Sequence, residues 1–182
     1  VPENWKPFAE EERLRALPGV KLVPLDLGDE RSVRDVAADI AGKTDILVNT
    51  AEFVRPGGLT DRQGTSFFQM ELAETYMGLI HLAQSFGPVL RMRGADGIDS
   101  AAAWVNVLSV YALANWPPFG AHAAAQAGCL SLSHCLRAEL RPGGVKVMNV
   151  FTGPIDGDWF QTLPPPKVAP RAVAEAIVAG LR

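Results

Sequence analysis

The chain has 182 residues, with 17 Lys+Arg against 20 Asp+Glu and 48% hydrophobic residues, enough for one domain with a sizeable core. A formal net charge of −3 leaves no basic footprint and argues against nucleic acid as a partner. The apolar runs fall far short of the ~18 residues that a membrane span needs. The polar, acidic stretch Val1 to Arg15 is unlike a signal peptide, so no membrane partner and a cytoplasmic location are expected.

Taken in chain order, the first β-rich run is Lys21–Leu25. A helix over Glu30–Ala41 follows, with Val33, Val36, Ala37 and Ile40 at helical spacing and Asp29 placed to cap it. A second run, Asp45–Asn49, leads to a loop marked by Gly57 and Gly58. A long helix over Ser66–Met92 ends at a second predicted surface loop, Gly94–Gly97. The third run, Trp104–Leu108, precedes an Ala-rich helix over Ala121–Leu140 with Leu130, Leu132, Leu136 and Leu140. A fourth run, Val145–Val150, leads into a Pro-rich loop (Pro164–Pro166, Pro170) and a closing helix over Arg171–Leu181. The four runs are continuously apolar rather than alternating, as strands buried on both faces of a parallel sheet are. Alternation of strands with helices predicts an α/β fold with right-handed crossovers. No repeat or linker divides the chain, so residues 1–182 read as a single domain.

Apolar residues from Phe67 to Phe86 cover well over half the circumference of the long helix, whereas a surface helix needs a stripe only ~100° wide. One face is expected on the sheet and another on a partner chain; burial within the monomer is the alternative. Small residues of the next helix, Ala121, Ala123, Ala124, Ala125, Ala127 and Gly128, allow close helix approach. Cys129 and Cys135, six apart on one helix, point to different sides and are too far apart for a disulfide. Two buried, reduced thiols fit the cytoplasm. No Cys/His cluster has metal-ligand spacing, and no metal is expected. His81 and His134 read as packing or surface residues.

Three stretches then carry a resemblance: Val105-Asn106-Val107-Leu108-Ser109, Pro118-Phe119-Gly120-Ala121-His122-Ala123-Ala124-Ala125-Gln126-Ala127, and Leu136-Arg137-Ala138-Glu139-Leu140. They resemble the second half of a short-chain dehydrogenase/reductase, in which a strand ends at a Ser and a Tyr-x-x-x-Lys motif follows thirteen residues on; Ser109 to His122 is also thirteen. The resemblance runs from Gly19 to Arg182. It implies a Rossmann-like parallel sheet with helices on both faces. It also implies an NAD or NADP site, if any, at Asp26 and Leu27 on the adenine side, Asn49 and Ala51 in the turn after the second run, and Gly153, Pro154 and Ile155 in the cofactor loop. Asp26 could equally cap the first helix.

The family's hydride transfer uses Tyr as general acid/base, Lys to lower its pKa, Ser to orient the substrate and Asn to support a proton relay. Ser109 is kept. His122 stands at the Tyr position, Gln126 at the Lys position, Thr75 at the Asn position, Glu52 at a turn Gly and Gly157 at a Thr. These replacements share a direction, since sheet and helix positions read normally while those facing the nicotinamide do not. The phosphate-binding Gly-rich turn is also missing: Val1 to Pro18 contain no glycine, and the usual first βαβ unit is lacking. The chain is therefore expected to be a piece of a longer protein, incomplete at both ends, unless Lys21–Leu25 pairs directly with Asp45–Asn49.

Two functions follow from the resemblance. In one, the chain is a degenerate, non-catalytic subunit, self-associated or packed on an active paralogue. In the other, it is an NAD(P)-dependent oxidoreductase acting on a small alcohol or carbonyl, with Ser109 and His122 in an altered proton transfer. An unperturbed His pKa of ~6.5 suits that role; simple filling of the Tyr hole is the alternative. Trp116 and Trp159 would flank the cleft, as stacking platforms or as wall. Asp156 and Asp158 with Glu52 would form an acidic mouth or a solvated loop.

Overall fold

The computed structural model describes residues 11–60, 64–95, 103–157, 160 and 163–182. Three strands, β1 (Ile46–Asn49), β2 (Ala103–Ser109) and β3 (Lys146–Thr152), form one parallel sheet in the order β1-β2-β3. Among the described residues six α-helices accompany it: α1 (Glu11–Arg15), α2 (Glu30–Ile40), α3 (Ser66–Glu71), α4 (Gly78–Ala95), α5 (Gly120–Leu140) and α6 (Pro170–Leu181). Asp29 caps α2 as its sequence position suggests, accepting from the Arg31 amide.

Alternation along β2 divides the core. Trp104 and Leu108 face α2, α4 and α5, with Val33, Leu79, Phe86, Leu90 and Leu136. Val105 and Val107 face α6, with Val173 and Ile177. A strand covered on both faces must be apolar at successive positions, which is why the run was legible. The one polar residue inside it is Asn106, fully buried. It accepts from Trp104 Nε1 (2.8 Å) and donates to Ser133 Oγ (3.0 Å), which in turn donates to Asn149 (2.6 Å). This chain of bonds joins β2, α5 and β3.

Several expectations change. Among the described residues Lys21–Leu25 forms no ladder with β1 or any other strand; the segment has no regular secondary structure and is largely exposed. Apolar β-formers make a strand only with a neighbour to bond, and Pro24 removes one donor besides. Among the described residues the outer edge of β1 is unpaired, and Ile46 and Val48 stay exposed beside it. The long helix is interrupted by a π-helical turn at Leu72–Met77. Gly94 lies in the last turn of α4 rather than in a loop, packed so closely that a Cβ there would run into the Gly143 carbonyl; Gly97 lies outside the described residues. Cys129 is buried but Cys135 is exposed, and both are free thiols. The small face of α5 does allow close approach, but within the chain: a Cβ on Gly128 would stand 2.8 Å from the Tyr76 ring.

Removing the centre of the polar chain with Asn106→Leu leaves Trp104 Nε1 buried without an acceptor, at a cost of about 1–3 kcal/mol. Urea unfolding should show that loss. Adding Trp104→Phe, which removes the orphaned donor, should cost less than the sum of the two single changes; strict additivity would show that the bond contributes nothing.

Candidate functional site

The C-terminal ends of the three strands bring together the turn after β1, the end of β2, the start of α5 and the loop after β3. Open parallel sheets bind their ligands at this end. Each segment is held by its own side chains. Asn49 accepts from the Ala51 amide (3.2 Å), closing the turn that carries Glu52. Thr75, in the π-helical turn, accepts from the Phe53 amide (3.1 Å). Glu71, almost fully buried, accepts from the Arg55 amide (2.8 Å). After β3, Val168 donates to the Pro154 carbonyl (2.8 Å) and accepts from the Asp156 amide (2.9 Å), clamping the loop that contains Gly153, Pro154 and Ile155.

Ser109, His122 and Gln126 are all buried, and the structure gives two of them structural bonds. Ser109 Oγ accepts from the Tyr111 amide (3.1 Å), opening a short 3-10 turn. Gln126 Oε1 accepts from the Ser109 amide (3.1 Å), tying α5 to the end of β2. Gln126 presents no cation. His122 is fully enclosed, and among the described residues neither ring nitrogen has a hydrogen-bond partner. Its ring stands edge-on to Tyr111 at 6.2 Å, Phe119 at 6.5 Å and Phe160 at 6.3 Å.

Glu52 is the residue whose role only the fold discloses. Its carboxylate Oε2 lies 3.8 Å from His122 Nε2, beyond a hydrogen bond and too close to ignore. Burial pushes Glu52 up to about 7 and His122 down to about 4. His122 is thus uncharged near neutrality, and the contact is not an ion pair. Residues 52 and 122 are distant in sequence and no periodicity links them; the resemblance places both at positions facing the nicotinamide, but not in contact with each other. Burial likewise pushes the Cys129 thiol up to about 12; it donates to the Thr75 carbonyl (3.5 Å) and stays unreactive.

A cavity of about 230 Å³ opens beside Glu52, lined by Thr50, Val107, Leu108, Thr152, Ile155 and the α6 residues Pro170, Val173, Ala174 and Ile177. Further along, Asp26 accepts from the Gly28 amide (2.9 Å) in a tight turn before α2. Leu27 is core, and its carbonyl accepts from buried His81 Nδ1 (2.8 Å). His134 is exposed. Trp116 stacks on Phe119 (5.2 Å) and packs near Tyr111 (5.7 Å), and it remains exposed. Asp156 pairs with Lys167 at 3.7 Å. Asp158 and Trp159 lie outside the described residues.

These residues do not fit the nicotinamide end of a dinucleotide. The resemblance implies a cation at position 126, and the site offers an amide whose Oε1 is already bonded to the Ser109 backbone. A carboxyl at Glu52 also opposes the cofactor's phosphates whenever it is ionised. Among the described residues no group of His, Cys, Asp and Glu could hold a metal ion.

Comparison with known proteins is unambiguous about kinship. The family described as short chain dehydrogenase matches residues 8–167. The chain is 32% identical over 166 residues to a short-chain dehydrogenase of Penicillium crustosum, covering 85% of this chain and 56% of that protein. It is 32% identical over 164 residues to one of Penicillium ochrochloron, covering 84% and 56%. It thus spans little more than half the length of these relatives. A short chain dehydrogenase of Burkholderia cenocepacia, solved in complex with NADP, superposes with a TM-score of 0.82 at 29% identity, covering 90% of this chain and 66% of that one.

The Glu52–His122 contact predicts an unusual pH dependence of stability. Glu52 binds its proton more tightly folded than unfolded, so its contribution to stability is present at low pH and is lost as pH rises from about 4.5 to about 7. His122 binds its proton less tightly when folded, so its contribution is lost as pH falls from 6.5 to about 4. The two slopes oppose each other over most of that range. Glu52→Gln should leave stability rising with pH between 4 and 6.5; His122→Phe should leave it falling between 4.5 and 7. Parallel denaturation series that show no change of slope in either variant would contradict this assignment.

Proposed function

The chain belongs to the short-chain dehydrogenase/reductase family, and we propose that within it this member does not transfer hydride but serves as a non-catalytic subunit of an oxidoreductase. The observation that carries the reading is the engagement of the reactive positions in packing. Gln126 is bonded to the Ser109 amide, Ser109 Oγ is bonded to the Tyr111 amide, and His122 is sealed and uncharged. NAD or NADP, if bound at all, would be held without the groups that make its nicotinamide reactive.

An assembly role draws support from the outer face of α4 and α5. A groove of about 440 Å³ runs between them, lined by Ile80, Ala83, Pro88, Leu132, Cys135 and Leu136 among others. That face suits a second copy or an active paralogue. We place the protein in the cytoplasm on its sequence character; among the described residues no helix is long and apolar enough to cross a membrane.

One observation favours the other reading, a working NAD(P)-dependent oxidoreductase acting on a small alcohol or carbonyl. Glu52 stands where a carboxylate could orient His122 as a general acid/base beside Ser109. Reinstating the family's pair separates the two. With saturating NADPH and a panel of ketones, the chain and its His122→Tyr/Gln126→Lys variant should both be inert, because Glu52 and Thr75 remain. Turnover by the unaltered chain would overturn the non-catalytic reading. For the assembly, native mass measurements on protein from its own source should show a complex. A lone monomer would contradict it.

A further inference from the structure

We draw no further inference here: the strongest candidate, the apolar groove between α4 and α5 lined by Ile80, Leu132 and Leu136, belongs to the assembly face already described, and nothing in the structure shows what covers it.

Discussion

The inner stripe of α5 is the constraint on which the rest of the molecule depends. His122, Gln126, Cys129, Ser133, Leu136 and Leu140 recur at alternating intervals of four and three residues, and all are buried. This is the spacing of a single helix face. A stripe pressed against a sheet must be apolar or bonded. Leu136 and Leu140 meet the first condition, and the polar residues except His122 meet the second. Gln126 accepts from the end of β2, Ser133 bonds Asn106 and Asn149, and Cys129 donates to the Thr75 carbonyl. The helix is thereby fixed in rotation, and every residue near its N-terminus is fixed with it. His122 breaks the rule, with two buried nitrogens and, among the described residues, no hydrogen bond.

That exception gives the site its character. In a working member of the family, as the resemblance implies, this region carries a polarised hydroxyl beside a cation. Here it carries an uncharged imidazole, an amide turned back to the backbone and a carboxyl shielded from water. The cation that the resemblance implies is absent from position 126, and burial disfavours charge on both Glu52 and His122. The scaffold is untouched by this: β2 and β3 remain in register along their length, and both faces of β2 are covered.

Much of the fold was legible because its signals are local. Continuous apolar runs marked β1, β2 and β3 to within one or two residues, and Asp29 announced the start of α2. Lys21–Leu25 failed because a strand is a relation between two segments, and its own residues cannot say whether a neighbour exists. Cys135 was misplaced because its position on α5 turns it outward, one residue from a buried leucine. The site was partly legible. The replacements at His122, Gln126, Thr75 and Glu52 could be read from the spacing of the resembling stretches. What each replacement does instead could not be read, because those bonds join residues 17 to 54 positions apart and follow no periodicity. The Glu52–His122 contact is the extreme case.

The central claim is that the residue at the reactive position has become part of the packing. The ring nitrogens of His122, followed by NMR from pH 8 down to pH 4, test it most directly. The account predicts a neutral imidazole down to about pH 4, with ring shifts that do not move when NADPH is added. Protonation near the ordinary value of ~6.5, or a shift of the ring nitrogens on adding NADPH, would contradict it and return His122 to a working active site.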